Sequence, residues 1–84
     1  MALCIEIIRG THWRPKRLPG GEPLLCETTR EAADALLATI AEGRIVARAT
    51  NGPSVVLLAC LNHDGSVTIG GRHGMSRARL PVSD

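Results

Sequence analysis

The strongest constraint on this chain is a helix whose two ends are both written in side-chain chemistry. Thr28 and Glu31 have the spacing of a capping box, in which the threonine hydroxyl accepts from the backbone N–H of Glu31 and the glutamate reaches back. Gly43 supplies the C-terminal stop. Between them Ala33, Leu36, Leu37 and Ile40 recur at helical spacing, which predicts a helix over 29–42 with that stripe facing a core.

The flanking segments do not repeat this pattern. Leu3, Ile5 and Ile7 alternate with Glu6, the period of a strand over 3–9, while Cys4 and Ile8 share the Glu6 face and suggest that it is partly covered too. Residues 10–23 hold Pro15, Pro19, Gly20, Gly21 and Pro23, which excludes helix and central strand and predicts a long loop. Unstructured connections longer than about 12 residues are uncommon in compact domains and are often functional. Leu24 to Glu27 reads as a short strand. After the helix, Ile45, Ala47 and Ala49 alternate within 44–50, Asn51-Gly52-Pro53 marks a turn, 55–61 is an apolar strand, Asn62-His63-Asp64-Gly65 marks a second turn, and 66–69 completes a meander. Gly70, Gly71 and Gly74 break the pattern, and residues 75–84 form a short tail with room for an edge strand near 77–82. The expected fold is a single α+β domain, residues 1–84, with one helix on an antiparallel sheet of about four to five strands in the order β-β-α-β-β-β.

With 84 residues the chain makes one domain. A domain of this size buries roughly 60% of its unfolded surface, which leaves little room for an enclosed substrate cavity. The core must be aliphatic, because Trp13 is the sole aromatic. The longest apolar run, 55–61, is far short of the about 20 residues of a membrane span, and Glu6 and Arg9 interrupt the N-terminal stretch before it can act as a secretory signal. Cys4, Cys26 and Cys60 are odd in number and widely spaced, two of them in patterns that look buried. They read as reduced thiols of a cytoplasmic protein. The net charge of +2 hides a segregation: Arg9, Arg14, Lys16 and Arg17 are followed by Glu22, Glu27, Glu31, Asp34 and Glu42 against Arg30 alone, and Arg72, Arg77 and Arg79 make the C-terminal part basic again. Such a dipolar molecule can be steered towards a charged partner, although a solvated mixed surface would look the same.

Five constellations in the sequence could carry chemistry. His12-Trp13-Arg14-Pro15-Lys16-Arg17 places an aromatic among cations, which suits stacking on a base with phosphate contacts, or a protein-interface hot spot. The ordinary alternative is Trp13 folding back over the core. Glu31, Asp34 and Glu42 share one side of the helix and could dock on a basic groove, but acids near a helix N-terminus and on its solvent side need no partner to explain them. Gly70-Gly71-Arg72-His73-Gly74 could grip a phosphate through backbone N–H groups and Arg72. It lacks the ending of a P-loop, and glycines needing positive φ explain it as well. Cys60 and His63, with His73 or His12, give one metal-ligand pair where structural zinc usually requires two. No cysteine–histidine or carboxylate pair stands in a recognisable catalytic setting, and His63 and Asp64 are explained by the turn they occupy. No metal, cofactor or catalytic residue is expected.

A chain with one helix, a small antiparallel sheet, an N-terminal strand like 3–9, a helix like 29–42 and a hairpin like 45–61 resembles the phage-encoded anti-CRISPR proteins in layout. The resemblance implies a steric inhibitor that binds a CRISPR surveillance complex along its DNA-receiving surface, in the cytoplasm of a bacterial host. An acidic helix side would suit a Lys/Arg-rich groove there, whereas the basic segment 12–17 departs from a simple DNA mimic. The expected function is thus a non-enzymatic binding protein using His12, Trp13, Arg14, Lys16, Arg17, Glu31, Asp34 and Arg72. The alternatives are a nucleic-acid-binding module that adds Arg77 and Arg79, and an antitoxin or other regulatory subunit.

Overall fold

The computed structural model describes residues 2–80. Seven strands and one helix follow in chain order: β1 (Leu3–Arg9), β2 (His12–Pro15), β3 (Leu25–Cys26), α1 (Thr29–Ala41), β4 (Val46–Asn51), β5 (Ser54–Leu61), β6 (Ser66–Gly71) and β7 (Gly74–Arg79). Every strand pairing is antiparallel, in the order β2-β1-β4-β5-β6-β7, and β3 shares with β2 the outer edge of β1. The architecture is α+β with one helix on an antiparallel sheet, as expected, but the sheet has seven strands where four to five were predicted.

One extra strand lies inside the predicted loop. Gly10 adopts φ 64 as the first central residue of a two-residue turn, so Arg9 and His12 pair and the chain doubles back as β2. Pro15 is tolerated because β2 is an edge strand. The remainder of 10–23 is laced down as well: Lys16 N donates to Ile5 O at 2.8 Å, Leu24 N to Lys16 O at 2.8 Å and Leu18 N to Glu22 O at 2.7 Å. The segment is therefore a hairpin and a closed tongue, not a loop. The second extra strand is β7, which takes residues 74–79 out of the predicted tail; positions 81–84 lie outside the described residues. The sequence predicts Gly70 and Gly71 to be breakers, with positive φ at the glycines of this segment. They instead belong to β6, and only Gly74 of that group has positive φ. What they require is space, since a Cβ on Gly71 would run into the Val56 carbonyl and one on Gly70 into the Gly74 carbonyl.

The helix forms where its caps predicted. Thr28 Oγ1 accepts from Glu31 N at 3.1 Å, and the Glu31 carboxylate accepts from the backbone N–H of Glu27, one residue before the cap. The buried side is Ala32, Leu36, Thr39 and Ile40, rotated from the predicted stripe, with Ala33 and Leu37 half-buried. Thr39 is accommodated because its hydroxyl donates to Ala35 O at 2.7 Å and accepts from Lys16 Nζ at 3.0 Å. Leu3, Ile5, Ile7, Ala47, Ala49, Ala59 and Val67 complete the core. The alanines of β4 and β5 let the helix approach the sheet closely. Ile45, predicted to belong to this set, precedes the strand and is 70% exposed.

A helix is about 10 Å across and strands lie about 4.8 Å apart, so one helix covers only two to three strands well. Here α1 packs on β1, β3, β4 and β5. Among the described residues nothing covers the opposite face of the sheet.

Candidate binding face of the sheet

That open face can be read directly from strand register. Because side chains alternate, the partners of each odd-numbered core residue of β1 define the covered face and the even-numbered residues define the other. Glu6 pairs with Pro15 on one side and Arg48 on the other; Arg48 pairs with Leu58, Leu58 with Gly70 and Gly70 with Met75. One row further along, Trp13 pairs with Ile8, and Val46 with Cys60, Thr68 and Arg77 in succession. Ile8, Val46, Leu58 and Cys60 are each half-buried although no second layer lies over them.

The polar centre of this face is a cross-strand ion pair. Arg48 Nε donates to Glu6 Oε1 at 2.7 Å, and the two side chains are only 25% and 18% exposed. Trp13 lies over the guanidinium, with its ring centroid 4.2 Å from Arg48 Cζ. Stacking of this kind contributes about 0.5–1 kcal/mol at an exposed site and more when desolvated. Trp13 thus belongs neither to the helix-side core nor to a free loop. Its ring caps a neutralised charge pair on the open face, and it is half-buried.

The six residues 12–17 do not form one patch. Their alternation along β2 sends Trp13 and Pro15 to the open face and His12 and Arg14 to the other side, both of the latter exposed. Arg14 borders a shallow depression with Arg9 and Arg17, and Arg17 also donates to the Gly21 carbonyl at 3.2 Å. Lys16 drops out of the set: its ammonium donates to Glu42 Oε2 at 2.7 Å and to Thr39 Oγ1, tying the tongue to the end of the helix. Glu31 is occupied by the cap, Asp34 is exposed, and Arg72 is exposed in the β6–β7 turn on the far side of the sheet. The predicted site residues therefore fall on separate surfaces.

Arg48 was not singled out from sequence. The signal was present, since Glu6 and Arg48 are the charged residues in the interior of two alternating, mostly apolar strands, and opposite charges at such positions favour a cross-strand pair. Register was needed to show that they meet beneath Trp13.

Two thiols are pushed above the ordinary value of 9.0. Burial raises Cys26, and the Glu31 carboxylate adds to it. Burial and Glu6 raise Cys4, partly offset by Arg17. Both thiols are held neutral, the unreactive state. Among the described residues no three of His, Cys, Asp and Glu come together as a metal set, and no helix is long and apolar enough to cross a membrane. No family model, no curated protein and no solved structure matches the chain.

Proposed function

We propose that this chain is a cytoplasmic, non-enzymatic binding protein that engages a protein partner through the open face of its sheet. The observation that carries this reading is Trp13 stacked on the Arg48–Glu6 pair amid half-buried Ile8, Val46, Leu58 and Cys60, on a face with no covering layer among the described residues. Apolar surface around an aromatic and an arginine is the composition of an interface hot spot. The ion pair leaves the centre of the face without net charge, which favours a protein surface over a phosphate backbone.

Within that class the narrower proposal is an anti-CRISPR-like inhibitor that blocks loading of target DNA onto a CRISPR surveillance complex. It rests on layout, with the exposed Asp34 and Glu27 of the helix side as the surface suited to a basic groove. A nucleic-acid reading is kept for one reason: Arg9, Arg14 and Arg79 are exposed cations on the margins of the sheet.

The test is a tagged pull-down from bacterial lysate, with and without nuclease, using wild type and Trp13→Ala. A stoichiometric, nuclease-resistant protein retained by wild type and lost by Trp13→Ala supports the proposal. Recovery of nucleic acid alone, abolished by nuclease and steeply salt-dependent, would move the second reading to first place.

A further inference from the structure

The edge of the sheet farthest from Trp13 has a chemistry of its own. Among the described residues β7 pairs only with β6, through six consecutive pairs from Ser66–Arg79 to Gly71–Gly74 without a register shift. Along an antiparallel ladder every second residue turns its N–H and C=O away from its neighbour, so a six-residue edge strand presents these groups to whatever lies outside. All of β7 is exposed except Ala78, and it contains no proline. Its open-face side chains are Met75, Arg77 and Arg79, with one acid in reach: Asp64, 3.6 Å from Arg77, both side chains more than half exposed. A groove of about 610 Å³ runs beside this strand, lined by Val55, Leu57, Met75, Arg72 and His73 among others and bordered by Thr29 at the start of the helix, with no acid in its lining. Val55 and Met75, 49% and 51% exposed, form its apolar lips.

We propose that the β7 edge receives an extended acidic segment of another protein, which adds to the sheet as an eighth strand. Backbone pairing supplies the affinity, carboxylates opposite Arg77 and Arg79 set the register, and one apolar side chain seats between Val55 and Met75. A helix would leave the edge groups of β7 unpaired. A second copy of the chain would bring Arg77 and Arg79 against their own counterparts, which opposes pairing. The charge of the edge therefore selects an acidic strand.

The probe is an eight-residue threonine-rich peptide with two glutamates two residues apart and a valine two residues further on, so that all three fall on the face of Arg79, Arg77 and Met75; it is titrated against the full chain by amide NMR beside the counterpart with lysines in place of the glutamates. Shifts and slowed amide exchange confined to residues 74–79 and the groove, with the glutamate peptide only, are expected. The double variant Arg77→Glu/Arg79→Glu, whose amide spectrum reports that it is folded, should bind the glutamate peptide about tenfold more weakly. It should also gain affinity for the lysine peptide. Equal binding of both peptides, or unperturbed amides at 74–79 at millimolar peptide, would overturn the proposal. So would a concentration-dependent dimer that protects the same amides, because the occupant would then be a second copy.

Discussion

The two faces of this sheet are built from the same strands yet carry opposite chemistries. On the covered face Leu3, Ile5, Ile7, Ala47, Ala49, Ala59 and Val67 are sealed beneath the helix. On the open face Cys4, Glu6, Ile8, Arg48, Leu58 and Cys60 occupy the alternate positions and stay half-buried. The residues buried beneath the helix on the covered face are apolar apart from Thr39, whose hydroxyl is fully satisfied. The centre of the open face holds its charge as a pair and places the molecule's only aromatic over it. Stability should therefore reside mainly on one face and recognition on the other.

The largest effect expected from this contrast is Leu36→Ala, which removes a fully buried side chain under the sheet. It should lower stability by about 2–5 kcal/mol. In a domain of this size that is a fall of well over ten degrees in Tm, measured by thermal or urea unfolding. Trp13→Ala should cost far less, about 1 kcal/mol, because stacking on a partly exposed cation is what it loses. A loss of about 3–5 kcal/mol, the range for a core tryptophan, would break the comparison by making the open face a second core.

The thiols sharpen the contrast through pH. Both Cys26, on the covered face, and Cys4, on the open face, are raised above 9.0 in the folded state. A group whose folded pKa is raised contributes stability that is present below its unfolded value and is lost as pH rises through the folded value. Unfolding midpoints should thus decline from pH 9 upwards, and the decline should become shallower in Cys26→Ser. The smallest effect belongs to Asp64, lowered from 3.8 chiefly by the Ser66 hydroxyl and backbone N–H and less by Arg77. Its contribution is present above 3.8 and fades as pH falls below it. Asp64→Asn should flatten only that acid limb of a stability profile.

The helix was legible from Thr28, Glu31 and Gly43 because capping is local chemistry, and the hairpin turns at Asn51-Gly52-Pro53 and Asn62–Gly65 were legible for the same reason. Gly65 takes φ 87 and donates to Asn62 O, as such a turn requires. β2 is hard to see in the sequence although Gly10-Thr11 is itself a two-residue hairpin signal, because the five prolines and glycines downstream have the composition of a loop. The candidate site was half legible. Trp13 stood out by composition, but its partners Glu6 and Arg48 are 42 residues apart and meet only through the pairing of β1 with β4. Lys16 looked like a free cation because its acceptors lie at the far end of the helix.

The pairing of β1 with β4 also governs how the chain finds its fold. Residues 46–79 form an uninterrupted meander, each strand beside its successor across a short turn, and β1–β2 is another local hairpin. Joining the two pieces closes a loop from Cys4 to Thr50 that contains the whole helix. Loop closure of that length must be met before its contacts reward it, so the slow step in refolding is expected to be the docking of the N-terminal hairpin and helix onto a preformed meander. Substitutions at the β1–β4 seam should then slow folding, whereas those in the outer hairpins should mainly hasten unfolding.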